Sequence, residues 1–143
     1  LGSVAGTSGY YAQGNVYNGS GSATSTYDSY TTNNIIGVAI DLDNNKLYFS
    51  KDGVWQNSGD PTSGASGTGS FFNITAGKLY TPATATYNTS NQFFSYNFGN
   101  GSFGTTAVTT NSGNGYAGAE GSSIFNYQPP TGDSALSTKG LNL

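Results

Sequence analysis

The sequence predicts an all-β protein of antiparallel strands, and three observations support this fold class. Along residues 36–42, apolar side chains alternate with small or polar ones, which is the period of a strand with one buried face. Clusters of Asn, Asp and Gly, which tolerate positive φ, separate this run from the apolar runs that follow it. No stretch of the chain has the apolar period of an amphipathic helix. The expected elements are therefore strands joined by turns and polar loops.

The centre of the predicted core is a meander of three antiparallel strands. Its first strand would bury the alternating side chains Ile36, Val38, Ile40 and Leu42. The polar run 43–46 predicts a turn, and residues 47–49 begin the second strand. The pair Asp52-Gly53 predicts a type I′ turn, since both central positions of that turn need positive φ. Residues 54–55 then begin the third strand.

Shorter strands are expected on either side of the meander. Residues 9–14 and 16–19 predict two short strands, and residues 79–87 and 92–99 predict two longer ones. Pro82 cannot donate a hydrogen bond to a neighbouring strand, so the first of the longer strands would lie at a sheet edge or carry a bulge. One face of the other would carry three aromatic side chains, Phe94, Tyr96 and Phe98.

Residues 56–70 form the longest predicted loop, because Gly, Ser and Pro dominate it and no apolar period occurs. Loops of this length in compact domains are usually mobile or functional. Residues 105–110 and 124–127 predict two further short strands. Consecutive prolines then end regular pairing, so we expect one domain at 1–128 and a tail or linker at 129–143.

The composition excludes several classes of function. The chain has 143 residues, of which 8% are charged, 34% are hydrophobic and 14% are aromatic. Four Lys and Arg in all, with a net charge of −3, cannot form a surface that follows nucleic-acid phosphates. No apolar run is long enough to insert across a membrane. The absence of Cys excludes disulfides and thiolate metal sites, so stability depends on packing and on hydrogen bonds within sheets.

Four segments of the chain together resemble the SPRY domain family in both order and spacing. They read IGVAIDLD at residues 36–43, LYFSKDG at 47–53, LYTPA at 79–83 and SYNFG at 95–99. The similarity extends over about residues 1–104.

Two further segments, 55–61 and 127–132, are similar to the SPRY-like modules of bacteriophage and prophage structural proteins. The resemblance implies a SPRY-like β-sandwich over 1–128, a concanavalin-like jelly roll of two antiparallel sheets. It also implies a non-catalytic recognition role, in which loops at one end of the sandwich bind partner proteins. Because those loops vary within the family, no binding residue carries over to this chain.

The chain departs from the family pattern at three places. Asn33-Asn34 stands where the family usually has Gly-Asp, and Asp52 stands where it usually has Asn. The family's opening strands, which include a Trp-containing segment, are missing, and Leu1 enters partway through the fold. We therefore expect that the sequence is an excerpt of a longer chain whose upstream part supplies the first strands, with a trimmed sandwich as the alternative.

The candidate ligand-binding residues are tyrosines, because uncharged aromatic side chains can stack on a ligand and also hydrogen-bond to it. They are Tyr10, Tyr11, Tyr17, Tyr27, Tyr30 and Tyr116. Two interpretations stay open at this point. The tyrosines cover a sheet face and keep their hydroxyls in water, or they form an aromatic surface that faces a ligand.

No catalytic residue, metal site or cofactor is predicted. Without His or Cys the usual catalytic triads and dyads are excluded. The seven carboxylates lie mostly in turn contexts, and they are Asp28, Asp41, Asp43, Asp52, Asp60, Glu120 and Asp133. The spacing Asp41-x-Asp43-x-Asn45 opens an EF-hand loop as well as a hairpin turn. The turn is favoured because Lys46 stands where the EF-hand needs Gly and no Glu closes the loop.

The expected function is that of a non-catalytic module on a bacteriophage virion, in a fibre, tail or capsid-decoration protein. Loops 57–70, 88–91 and 105–121 would present Tyr and Asn for recognition of a host-surface glycan or protein. The expected partners are other virion proteins and the host surface, and self-association into a homo-oligomer is compatible with this role. The expected location is the virion surface, extracellular after release. Two alternatives stay open, a purely structural assembly domain and a polysaccharide-active enzyme.

Overall fold

A computed structural model of the chain describes residues 6–19, 23, 25–86, 92–108 and 115–136. Within these residues the protein consists of short antiparallel strands, and its helical content is two short 3-10 turns, Gln56–Ser58 and Gly64–Ser66. The all-β prediction is confirmed. No helix among the described residues is both long and apolar enough to span a bilayer. The chain divides into two compact units, residues 1–90 and residues 91–143.

The first sheet of the first unit contains strands β1 (Ser8–Tyr10), β2 (Asn15–Asn18) and β3 (Ser25–Thr26), antiparallel and in that order. Residues 11–14, which the sequence placed in a strand, form the turn between β1 and β2. The Gly14 N–H donates to the carbonyl of Tyr11 at 2.8 Å, and the Tyr11 N–H donates to the carbonyl of Asn15 at 2.9 Å. Gly14 has φ of 90°, as the bulge position of a three-residue hairpin loop requires.

The second sheet confirms the predicted meander. Strands β4 (Ile36–Asp41), β5 (Lys46–Lys51) and β6 (Val54–Trp55) follow one another in antiparallel pairing. The turn between β5 and β6 has positive φ at both Asp52 and Gly53, as a type I′ turn needs. Strand β7 (Phe72–Asn73) pairs with the start of β5, while β6 pairs with its end. Strand β5 is therefore the centre of the sheet, with β4 along its other edge.

The expectation that the first strand of the meander buries its large apolar side chains is wrong. Val38 is 49% exposed, Ile40 is 37% exposed and Leu42, which lies in the turn after β4, is 66% exposed. The buried residue of β4 is Ala39, on the opposite face, at 5%. Ala39 lies opposite Tyr48, which is buried beneath a polar loop, whereas Val38 and Ile40 lie on the face that carries Phe49 and stay partly exposed.

Five aromatic side chains join the first sheet to the second, and we call them the aromatic core. They are Tyr10, Tyr27, Tyr30, Phe49 and Phe71. Tyr10 of β1 lies 5.4 Å from Tyr27, 5.0 Å from Tyr30 and 5.7 Å from Phe49 of β5, measured between ring centroids. Phe71 closes the group, at 5.2 Å from Phe49 and 6.0 Å from Tyr27. Such pairs each contribute about 0.5–1.5 kcal/mol beyond the area they bury.

The polar loop 56–70 covers the other face of the second sheet. Tyr48 of β5 is 1% exposed beneath it, and a Cβ placed on Gly59 would lie 3.4 Å from the Tyr48 ring. The loop is held by its own hydrogen bonds, since the Asp60 carboxylate accepts from the N–H of Thr62 at 2.9 Å and from its hydroxyl at 2.6 Å. The Asp60 N–H donates to the carbonyl of Thr68 at 3.0 Å. This segment therefore serves as a cover for the sheet.

A buried glutamine links the meander to the segment that leads into it. Gln56 is buried, and its side-chain carbonyl accepts the Asp28 N–H at 2.8 Å. Its side-chain amide donates to the carbonyl of Val54 at 3.2 Å. Both ends of the buried amide are thus satisfied, which fixes residues beside Tyr27 against the end of the meander.

The second unit has little regular pairing. Its strands are β8 (Ser102–Phe103) and β9 (Thr106–Ala107), which form a hairpin and confirm part of the predicted strand at 105–110. Residues 124 and 125 take part in single bridges only, to Asn100 and Tyr116. The predicted strands 79–87 and 92–99 contain no strand among their described residues, so these two predictions are wrong.

Residues 97–99 are the centre of the second unit. The side-chain oxygen of Asn97 accepts the Gly99 N–H at 2.7 Å, and its amide donates to the carbonyl of Ile124 at 2.9 Å. Gly99 has φ of 94°, and a Cβ there would lie 2.8 Å from the Cβ atoms of both Ser123 and Ala135. Ala135 is buried, so part of the segment predicted as a tail at 129–143 packs within this unit.

A carboxylate and an amide hold the entry to β4. The Asp52 carboxylate accepts from the side-chain amide of Asn34 at 2.6 Å and from the Ile35 N–H at 2.8 Å. The Asp52 N–H donates back to the carbonyl of Ile35 at 2.8 Å. The SPRY pattern has Asp at position 34 and Asn at position 52, whereas this chain has Asn34 and Asp52. Because the two side chains contact one another, the carboxylate and the amide have exchanged positions within one pair.

We predict that Gly14→Ala destabilises the protein by about 2 kcal/mol or more. The substitution adds backbone strain, and its Cβ would lie 2.2 Å from the carbonyl oxygen of Tyr27. Gly77→Ala is the matched control, because Gly77 has φ of 70° and nothing lies within 4 Å of its Cβ position. The measurement is urea unfolding of both variants. Equal losses of stability would contradict the close approach of the turn to Tyr27.

We predict that Asn34→Asp and Asp52→Asn each lower the free energy of unfolding by about 1–2 kcal/mol. Asn34→Asp places a second carboxylate against that of Asp52, and Asp52→Asn replaces a charged hydrogen-bond acceptor by a neutral one. The double variant N34D/D52N restores the contact with donor and acceptor exchanged, so its loss is smaller than the sum of the two. A double-mutant cycle by urea unfolding measures this coupling. Asp43→Asn, at an exposed turn position, controls for the loss of charge. If the loss of stability in the double variant equals the sum of the losses in the two single variants, the contact with exchanged donor and acceptor is contradicted.

Candidate ligand-binding site

The structure places the six candidate tyrosines in three different surroundings. Three belong to the aromatic core, namely Tyr10, Tyr27 and Tyr30. Two lie on the other face of the first sheet, Tyr11 and Tyr17. Tyr116 belongs to the second unit, where it forms an antiparallel bridge with Phe125. The residues that can meet a ligand together are therefore Tyr11 and Tyr17.

The core tyrosines are used for packing. The Tyr10 hydroxyl donates to the backbone carbonyl of Asp28, and the Tyr30 hydroxyl donates to the carbonyl of Tyr10 at 3.0 Å. Burial raises the pKa of Tyr27 to about 12. Burial, followed by the charge of Asp28, raises the pKa of Tyr10 to about 12 as well. These side chains stay neutral over the physiological range and hold the two sheets together.

The strand alternation of the first sheet separates the two groups of tyrosines. Val16 is fully buried, and the residue opposite it across the sheet is Tyr10 of the aromatic core. Tyr17, the next residue along β2, points to the opposite face and has Gly9 as its cross-strand partner. Because Gly9 has no side chain, Tyr17 has no cross-strand side chain opposite it.

Tyr11 and Tyr17 line a shallow open hollow of about 230 Å³ together with Gln13 and Asn15, and we call it the tyrosine hollow. The two rings lie 4.7 Å apart between centroids, tilted by 57°. None of the four lining side chains carries a charge. Within the described part of the chain, the side-chain amides of Gln13 and Asn15 have no hydrogen-bond partner. Two aromatic rings and two amides are thus presented on one outward face.

The hairpin turn positions these groups. The hydrogen bonds around Gly14 close the loop between Tyr11 and Asn15, so Gln13 lies at the tip of the turn. Behind the turn, the Gly14 carbonyl accepts the Tyr27 N–H at 2.7 Å, and the Ala12 carbonyl accepts the Tyr30 N–H at 2.8 Å. The turn is therefore fixed to the segment that carries the aromatic core.

Sequence reasoning identified Tyr11 and Tyr17 but missed Gln13 and Asn15. The signal that identifies them is spacing, because the four lining residues occupy every second position from 11 to 17. A strand over 9–14 already separates Tyr10 from Tyr11, because successive side chains of a strand point to opposite faces. What the sequence did not indicate is the turn at 12–14, which brings Asn15 and Tyr17 of β2 beside Tyr11 and Gln13.

Three of the carboxylates, those of Asp41, Asp60 and Glu120, accept hydrogen bonds from residues close in sequence. Asp41 accepts from the Asn44 N–H at 2.9 Å and from its side-chain amide at 2.8 Å, which confirms the hairpin-turn interpretation of residues 41–45. Desolvation raises the pKa of Asp41, but hydrogen bonds from Asn44 outweigh it, so that pKa lies below its usual value. Hydrogen bonds from Thr62 lower the pKa of Asp60, and those from Ser123 lower the pKa of Glu120.

The described residues contain no group of three His, Cys, Asp or Glu side chains placed to hold a metal ion. A scan against protein-family models and searches of curated proteins and of solved structures find no match to this chain. The SPRY-like assignment therefore continues to depend on the motif residues in the sequence.

We predict that the protein loses stability as the pH rises from about 10 to about 12. Tyr27 has its pKa raised from 10.0 to about 12, so the folded state keeps a proton that the unfolded state releases. The contribution of this group is full below pH 10 and is lost as the pH rises through its folded pKa. Thermal melts across this range, read together with phenolate absorbance, measure the effect.

Tyr27→Phe is the control for this prediction, because no described hydrogen bond involves the Tyr27 hydroxyl. The variant is expected to lose less stability in alkali than the parent protein. An identical alkaline profile of the two proteins would show that Tyr27 does not ionise on unfolding in this range.

Proposed function

We propose that this chain is a non-catalytic recognition module on the surface of a bacteriophage particle, with a SPRY-like β-sandwich fold. The fold part of the proposal is supported by the motif residues at 36–43 and 47–53 and by the antiparallel meander that they form. Contact between the first and second sheets through the aromatic core also favours it. The proposed setting is supported by the similarity of residues 55–61 and 127–132 to phage structural modules.

The observation that carries the recognition role is the tyrosine hollow. It combines aromatic faces with amide donors and acceptors on one outward face, without any charge. The sheet that carries it is anchored from behind by the aromatic core, so the lining groups are held in position before a ligand arrives. Pre-organisation of this kind reduces the entropy lost on binding.

The proposed surface differs in place from the one that the sequence indicated. Of the three expected recognition loops, 57–70 contains no aromatic residue and covers Tyr48. Loop 88–91 lies outside the described residues, as does part of 105–121. We therefore place recognition on the outer face of the first sheet.

The carboxylates favour a binding role over hydrolysis. A glycosidase needs one carboxyl group with a raised pKa to donate a proton to the leaving oxygen. The pKa values of Asp41, Asp60 and Glu120 are lowered instead. The Asp52 carboxylate is occupied by Asn34 and Ile35. These four groups are suited to hold turns in place.

A second candidate function is assembly into the particle. Val38 and Ile40 are exposed on β4, which pairs only with β5 among the described strands. An apolar face next to an unpaired strand edge is typical of surfaces that contact other proteins. Other virion proteins and a second copy of this chain are the candidate partners for this face.

A binding experiment with the full chain separates the two candidates. The chain, immobilised at defined density, is exposed to purified host envelope, to envelope stripped of protein, and to disassembled virion proteins. Recognition of a host glycan predicts binding to both envelope preparations, and recognition of a host protein predicts binding to the intact one alone. Binding to virion proteins with no binding to either envelope preparation contradicts the recognition role and supports assembly.

A further inference from the structure

We infer that the tyrosine hollow binds a single uncharged sugar ring, the exposed end of a neutral glycan. This inference rests on the proposed recognition function and assigns a ligand class to one site within it. Four properties of the hollow carry it: its volume, the tilt of its two rings, its free amides and its lack of charge.

The volume limits the ligand to one ring. Pockets for drug-sized ligands have volumes of about 300–1,000 Å³. The hollow measures about 230 Å³ and is open to solvent on one side. It therefore accommodates a six-membered sugar ring, while the rest of a longer glycan would extend into water.

The tilted tyrosine pair selects a ligand with one apolar face and a polar rim. The face of an aromatic ring carries partial negative charge, and the C–H bonds on one side of a sugar ring carry partial positive charge. With the rings of Tyr11 and Tyr17 at 57° to one another, one ring can stack on that side while the other borders its edge.

The amides match the polar rim of such a ligand. Each amide offers both donors and an acceptor, and neighbouring sugar hydroxyls need both. Gln13 and Asn15 line the hollow together with the two tyrosines, and their side chains have no hydrogen-bond partner among the described residues. Hydrogen bonds to hydroxyl groups would therefore be gained on binding without breaking any described contact of these side chains.

The charge of the site excludes ionic sugars as preferred ligands. Among the described residues, the four that line the hollow include no cation that could pair with a carboxylate or phosphate and no carboxylate that could pair with an ammonium group. The chain carries a net charge of −3, which further disfavours anionic sugars such as sialic acid. The expected ligand is a neutral hexose or N-acetylhexosamine.

A single shallow ring contact gives weak binding, with a Kd on the order of 1 mM or weaker. On a particle that displays many copies, simultaneous contacts raise the overall affinity by about 10²–10⁴. Weak single sites are therefore compatible with host attachment, and the assay must detect millimolar affinity.

The test is saturation-transfer NMR on the full chain with methyl glucoside, methyl galactoside, methyl mannoside and N-acetylglucosamine. Sialic acid and glucosamine serve as the anionic and cationic comparators. We expect at least one neutral sugar to bind and both charged sugars to bind more weakly. Preference for a charged sugar, or binding of none of the neutral sugars, would falsify the inference.

Variants locate the binding. Tyr17→Ala is expected to weaken binding of the neutral sugar by about tenfold or more. Tyr17→Phe keeps the ring and is expected to weaken binding less. Gln13→Ala, at an exposed turn position where folding is not at stake, is expected to weaken binding as well. Tyr127→Ala removes a partly exposed tyrosine from the second unit and is expected to leave binding unchanged.

The outcomes distinguish this inference from the proposed function. Neutral-sugar binding that is indifferent to Tyr17→Ala and Gln13→Ala overturns the assignment to the hollow, while recognition of a host glycan stands. No neutral-sugar binding together with binding to envelope protein overturns the sugar inference alone. No binding to any envelope preparation or sugar overturns both.

Discussion

The contact between Tyr10 and Phe49 is the interaction on which the first unit depends. A three-stranded sheet as short as β1, β2 and β3 is marginally stable by itself. It persists because Tyr10 fixes its inner face to the second sheet, with Tyr27, Tyr30 and Phe71 packed around the contact. Strand alternation then determines that the neighbouring odd-numbered side chains face solvent. The tyrosine hollow is thus a geometric consequence of how the core is anchored.

Only 34% of the residues are hydrophobic, and the second sheet is covered by different kinds of residues on its two faces. Aromatic rings cover part of one face and leave Val38 and Ile40 exposed, while the hydrogen-bonded loop 56–70 covers the other face. The loop can fold tightly on itself because glycine stands where a side chain would collide, as at Gly69, where a Cβ would lie 2.6 Å from the backbone nitrogen of Gly59. A chain rich in Gly and Ser therefore builds a buried tyrosine without a second layer of aliphatic residues.

Signals within a few residues of one another predicted the strands and turns of the meander. Which of its faces is buried depends on packing by residues distant in sequence. The alternation in β4 and the Asp52-Gly53 turn are encoded within a few residues, so both were predictable. Which face of β4 is buried depends on residues 56–70, which follow it in sequence, and the prediction failed there. The stretch at 92–99 has strand composition, but the Asn97 side chain binds backbone groups of Gly99 and Ile124 instead. The placement of Asn15 and Tyr17 beside Tyr11 depends on the turn at Gly14, which composition alone does not reveal.

We place ligand recognition on the outer face of the first sheet. A titration of the ¹⁵N-labelled full chain with a neutral methyl hexoside, followed by amide chemical shifts, tests this placement. We predict saturable shifts concentrated at residues 9–17, with small shifts along the loop 56–70 and in the second unit. Saturable shifts concentrated in that loop or in the second unit, with residues 9–17 unchanged, would contradict it.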